Sequence, residues 1–172
     1  MLDTIPYVST ATVSLAFDKR EVGEKVKGHG FLVPRTEGEL VTGRTWESSK
    51  WPGHAPPEVV LARCYLGWSG HEEFAELDDA ALIKRVRDFL RRVAGISARP
   101  FFTRIFRWDK ALPQYAVGHL ERMSSLGQLL NGHSGLLLTG AAFHGVGLPD
   151  CIRDGYLTAE MVVKAVEERK TQ

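Results

Sequence analysis

Residues 136–163 read LLLTGAAFHGVGLPDCIRDGYLTAEMVV: an apolar run, a turn of small residues, then apolar positions at helical spacing. The pattern predicts a short strand over 135–139, a glycine-rich turn from Gly140 to Gly147 and a helix over 150–168, with Pro149 just ahead of a capping Asp150. Gly140, Gly145 and Gly147 permit backbone conformations or close approaches that a Cβ would forbid. The free N–H groups that open the helix favour an anion or an electron-rich ring edge, by about 0.3–1 kcal/mol when exposed. Two readings stand side by side: the glycines allow a tight strand-to-helix connection, or something lies against their backbone. The spacing is not G-x-G-x-x-G, and no first strand of a βαβ unit precedes it, so nothing in this stretch would hold adenosine.

Upstream the chain reads as sheet. Tyr7 to Phe17 alternates small or polar with apolar residues before Asp18-Lys19-Arg20, as a half-buried strand ending at the surface would. Gly30 to Val33 predicts a short strand near a close backbone approach. Leu40 to Ser49, Val59 to Leu66 and Phe101 to Trp108 add further strands, with a proline-rich loop from Pro52 to Pro57. Asp78 or Asp79 opens a helix that carries Leu82, Ile83, Val86, Phe89, Leu90 and Val93 on one face and ends at Gly95, and a second helix is expected from His119 to Leu130. The fold class is therefore α+β, a mostly antiparallel sheet with packed helices that ends in strand, turn and helix.

Composition excludes several functions. Lys and Arg number 22 against 21 Asp and Glu, for a net charge of +1, so no field draws nucleic acid, and the basic side of the 79–94 helix reads as a solvated face. Cys64 and Cys151 have no paired spacing, and neither do His29, His54, His71, His119, His133 and His144, so neither a disulfide framework nor a metal site is expected. No leader pattern opens the chain and no apolar run approaches the roughly 18 residues of a membrane span; a cytoplasmic protein is expected, with peripheral membrane contact left open. Ser48, Ser49 and Ser134 lie in no G-x-S-x-G elbow, and no residue is assigned a catalytic role. Cys151, at a helix start, reads as a small contact residue or as a reactive thiol.

Pro113-Gln114-Tyr115, Gly118-His119, Thr139-Gly140-Ala141 and Gly145-Val146-Gly147-Leu148-Pro149-Asp150-Cys151-Ile152 with Gly155 resemble the oxygen-dependent protoporphyrinogen/coproporphyrinogen oxidase family. Val13 to Phe17, Gly30 to Pro34, Ser48 to Pro52 and Arg63 to Gly67 occur in the order that family shows. The resemblance implies an FAD enzyme that removes hydrogens from a porphyrinogen, passes the electrons to oxygen and releases hydrogen peroxide. It implies flavin contacts at Ala141, Val146, Gly147, Leu148, Cys151 and Ile152, largely through backbone, and a substrate wall at Gly30, Leu32 and Tyr65, where core packing is the competing role. Asp154 stands where many relatives carry a small polar residue. Residues 1–115 would then be part of the substrate-binding domain and 116–172 the C-terminal part of the FAD domain. The nucleotide-binding half and the family's cation for the substrate propionates have no counterpart in the sequence. The expectation is a C-terminal portion that is inactive and retains no FAD alone, whose partner is the missing half. A homodimer through exposed apolar surface, a stand-alone porphyrin carrier and one half of a split oxidase are the alternatives.

Overall fold

The computed structural model describes residues 2–170. The chain divides into two units, one over Val8–Ala111 and one formed by residues 2–7 together with 112–170. Five strands, β1 (Tyr7–Asp18), β2 (Gly30–Leu32), β3 (Val41–Trp46), β4 (Val59–Leu66) and β5 (Phe102–Pro113), form one sheet in the order β2-β3-β4-β1-β5. The pairs β2/β3, β3/β4 and β4/β1 are antiparallel, and β5 lies beside β1, where Phe101 N–H donates to Ala16 O. Two four-residue helices, α1 (Lys19–Val22) and α2 (Glu47–Lys50), follow β1 and β3.

Alternation along the strands decides which face is covered. Ala11, Val13, Leu15 and Phe17 of β1 and Val60, Ala62, Cys64 and Leu66 of β4 are buried, and the residues between them are half-buried, apart from the buried Ala16. The helix α3 (Asp79–Ala94) closes this face with Leu82, Val86, Phe89 and Leu90. Both of its ends follow from sequence. The Asp78 carboxylate accepts from Ala81 N–H at 2.7 Å, and Gly95 at φ +66° returns its N–H to Leu90 and Arg91 O.

The covered face also holds a cation. Arg44 is 5% exposed, with its guanidinium carbon 3.4 Å from the Trp46 ring centre and 4.5 Å from that of Phe31. Its Nε and one terminal nitrogen have no hydrogen-bond partner, and burial lowers its pKa to about 10. Beside it burial pushes the Cys64 thiol up to about 12, so this cysteine stays a protonated core residue.

In the second unit α4 (His119–Leu130) and α5 (Leu148–Lys170) are joined by the glycine-rich segment. Two expectations are corrected here. Residues 135–139 form no strand, because a strand exists only with a ladder partner and none of the five strands pairs with them. The helix also starts two residues early. Cys151 N–H donates to Gly147 O at 2.9 Å, so Asp150 sits inside the first turn and does not cap it. Along α5, Leu148, Ile152, Tyr156, Val163 and Val166 recur at steps of three, four and seven and stay exposed, an apolar stripe with no cover among the described residues.

Candidate functional site

Each unit presents one candidate surface. In the sheet unit it is the face opposite α3. The strand register sets two rows across it, Leu32–Gly43–Tyr65–Thr12 and Gly30–Thr45–Arg63–Ser14. Most of these side chains are small, so the floor is flat. Leu32, 86% exposed, lies across Gly43, and Tyr65 Oη stands 3.2 Å from Thr45 Oγ1. Gly30, Leu32 and Tyr65 thus share one hollow of about 270 Å³ with Thr45 and Lys50. The closeness of Gly30 has its own cause within the sheet: a Cβ there would lie 2.3 Å from Arg44 O and 3.1 Å from Thr45 Cα.

The rest of this face comes from β5 and from Arg63. On β5, Ile105 packs on the core and Arg107 bonds Leu77 O and Asp79 on the α3 side, so the alternate residues Phe102, Arg104, Phe106 and Trp108 face the open side. All four are exposed; the Arg104 guanidinium lies 5.1 Å from the Phe106 ring centre, and that ring is 6.3 Å from Trp108. The period-two run in FTRIFRW was the available signal. Arg63 stands between Thr45 and Ser14, its Nε 3.6 Å from the buried Glu47 carboxylate, which also faces His54 at 3.7 Å. The face therefore combines an apolar and aromatic floor with the cations Arg63, Arg104 and Lys50, a set that suits a flat apolar ring bearing carboxylates.

The second surface is the turn before α5. Gly140 has φ +120° and Gly145 φ +145°, both in the region that favours glycine. A Cβ on Gly145 would lie 2.5 Å from Asp150 Cβ, so this close approach is met within the chain. Val146, Leu148 and Ile152 are exposed beside the turn, and Gly147 is half-buried. The N–H groups of Val146 and Gly147 have no protein partner among the described residues. Ala141 and Cys151 are engaged differently. Ala141 O accepts from Tyr115 Oη–H at 2.8 Å, and the Cys151 thiol turns inward onto Gly145 O at 3.4 Å.

Asp154, notable in sequence only as a departure, organises this turn. Its carboxylate accepts from Thr139 Oγ1 at 2.7 Å, Gly140 N–H at 3.0 Å and His144 Nδ1 at 2.7 Å. The Thr139 hydroxyl first, with Gly140 and His144, holds the Asp154 carboxyl below the usual carboxylate range against an opposing effect of burial. A pKa lowered by folding adds stability that is complete above the unfolded value of about 3.9 and fades as pH falls through the folded value. Asp154→Asn should therefore destabilise the turn by about 1 kcal/mol at neutral pH, a deficit that shrinks below about pH 4. Urea titrations of both proteins across that range would measure it; a deficit independent of pH would count against this role. Of the histidines, His144 lies exposed on the turn, and His119 is buried with its backbone N–H bonded to Ala116 O. No three metal-ligating side chains gather among the described residues, and no helix there is long and apolar enough to cross a membrane.

The sheet unit thus presents an antiparallel sheet with one open face, and the second unit a glycine turn with free amides ahead of a long helix. The chain belongs to the flavin containing amine oxidoreductase family, which matches residues 1–163. Among curated relatives, the coproporphyrinogen III oxidase of Bacillus subtilis (strain 168) is 38% identical over 148 residues, 86% of this chain and 32% of its own. The chloroplastic protoporphyrinogen oxidase 1 of Arabidopsis thaliana is 31% identical over 169 residues, 92% of this chain and 31% of its own. A crystal structure assigned as a protoporphyrinogen oxidase from Exiguobacterium sp. 255-15 superposes with a TM-score of 0.83 at 30% identity, covering 96% of this chain and 36% of that one. Reduced UDP-galactopyranose mutase shares the fold alone, with a TM-score of 0.57 at 12% identity over 76% of this chain and 28% of that one. The chain spans about a third of the length of the curated relatives it matches.

Proposed function

We propose that this chain supplies the macrocycle-binding sheet and the flavin-closing turn of an oxygen-dependent porphyrinogen oxidase of haem biosynthesis, and that the flavin nucleotide is held mainly by residues outside it. The observation that carries the reading is the open sheet face, where Gly30, Leu32 and Tyr65 meet in one hollow on the same side as Arg63 and Arg104. The ring would lie on the floor of small residues, with Tyr65, Phe106 and Trp108 giving apolar area and the two arginines meeting propionate carboxylates.

The turn fits one edge of a flavin. The free N–H groups of Val146 and Gly147 are donors without acceptors, and Leu148 and Ile152 flank them with exposed apolar surface. The residues present do not fit the remainder of FAD, for which the chain has no phosphate-binding glycine motif. Flavin supplies hydride-acceptor chemistry when bound, and no protein base is needed. The chain's own contribution is to orient the substrate C–H and to cover the ring from water. On this reading residues 1–115 serve the substrate domain and 116–172 the flavin domain, the apolar stripe of α5 packs on the flavin-binding portion, and the chain alone is inactive.

Titration of the chain with coproporphyrin, read by quenching of tryptophan fluorescence, tests the sheet face. Leu32→Asp and Tyr65→Ala are each expected to weaken binding roughly tenfold, as loss of a buried apolar contact worth about 1.4 kcal/mol would. Equal affinity in wild type and both variants would move the macrocycle elsewhere. A second reading, a stand-alone porphyrin carrier, draws on the confinement of every group of that face to residues 8–111. Coproporphyrin bound as tightly by the chain alone as by the complete oxidase would favour it.

A further inference from the structure

We infer that Tyr115 and His119 are positioning residues that lock the 141–145 backbone, leaving the Val146 and Gly147 amides free to meet the flavin. The inference rests on the proposed function, because only that reading gives the two amides a ligand. The lock itself is read from geometry.

The segment that carries Tyr115 is fixed first. Gln114 N–H donates to Pro6 O at 2.9 Å, and Gly118 at φ +86° turns the chain so that α4 begins at His119. Tyr115 and His119, four residues apart, then stack with ring centres 3.9 Å apart and planes 10° from parallel. From this stacked pair three bonds reach the turn. Tyr115 Oη–H donates to Ala141 O at 2.8 Å, and the same oxygen accepts from Gly145 N–H at 2.6 Å. His119 Nε2 lies 3.1 Å from Phe143 O, and since a carbonyl can only accept, Nε2 carries the hydrogen.

One hydroxyl therefore closes a ring between a carbonyl and the amide four residues later, a link that no backbone bond makes there. Between them the two side chains use the polar groups of 141, 143 and 145, the odd positions before the free amides of 146 and 147. Asp154 fixes the start of the same turn at Thr139 and Gly140, so the segment is held from both sides. His119 is 5% exposed, which shields the donor side of this bond from water.

The test uses variants that keep the aromatic stack: Tyr115→Phe, which loses the hydroxyl, and His119→Phe, which loses the donor, with His119→Gln as the conservative variant that keeps an N–H. In the chain itself, amide hydrogen exchange at Gly145 should quicken about tenfold in Tyr115→Phe while the amides of α3 exchange as before. Unchanged exchange at Gly145 would overturn the lock. In the complete oxidase, with this chain joined to its flavin-binding portion, Tyr115→Phe and His119→Phe should shift the flavin absorption bands and midpoint potential and lower kcat with KM for porphyrinogen unchanged. His119→Gln should restore them. Quickened exchange with spectrum and potential as in wild type would show a staple that serves the fold alone and overturn the positioning role. A complete wild-type enzyme that purifies without flavin would instead remove the proposed function, and this inference with it.

Discussion

Gly30→Val is expected to release β2 from the sheet and abolish coproporphyrin binding by the chain, with a loss of stability of at least about 3 kcal/mol. The added Cβ would stand 2.3 Å from Arg44 O and 3.1 Å from Thr45 Cα, both backbone atoms of the paired strand that no rotamer change can move. A three-residue edge strand has few bonds with which to resist, so β2 must leave. With it goes Phe31, whose ring packs 6.2 Å from that of Phe89 and covers one side of Arg44; burial of such a side chain is worth about 1.5–3 kcal/mol. Leu32 leaves as well, and the hollow loses its wall. Leu32→Ala is the control, since a side chain 86% exposed contributes less than about 0.5 kcal/mol to stability. It should fold as wild type and bind porphyrin more weakly. Urea denaturation and the quenching titration, run on both variants, separate loss of the strand from loss of a contact; a Gly30→Val protein of wild-type stability would refute the packing account.

The second large effect is expected at the buried cation. Trp46→Ala should cost about 3–5 kcal/mol, because it removes a fully buried indole and uncovers Arg44 at once. Arg44→Met should change stability by less than about 1 kcal/mol in either direction. Taking an unpaired guanidinium out of water costs several kcal/mol, and stacking on the buried Trp46 ring and the half-buried Phe31 ring returns about 1–2 kcal/mol for each. The two nearly offset, so an apolar side chain of similar length loses little. Thermal unfolding of both variants checks this; an Arg44→Met protein as damaged as Trp46→Ala would mean that the cation has an acceptor that the orphaned Nε does not reveal.

The same residues explain what could be read from sequence. Strands with one covered face announce themselves by alternation, and Val59 to Leu66 and Tyr7 to Phe17 appear in the structure within one residue of expectation. Asp78 and Gly95 bound α3 for the same local reasons that predicted them. The expected strand over 135–139 failed because a strand's existence depends on a partner, which lies beyond local pattern. Arg44 could not be foreseen in the core, since its burial depends on two rings that only the pairing of β2 with β3 brings together. Glycines and exposed apolar residues mark the 141–152 turn in sequence, whereas Tyr115, His119 and Asp154 reach it over 10 to 30 residues by hydrogen bonds that only the fold creates.

The central claim is that this chain completes a flavin site without holding the nucleotide. Its visible absorbance after incubation with excess FAD and removal of the free cofactor tests that claim most directly. A turn that offers two free amides and no phosphate cradle should retain nothing, leaving the protein colourless; a stoichiometric flavin spectrum that survives gel filtration would contradict the account.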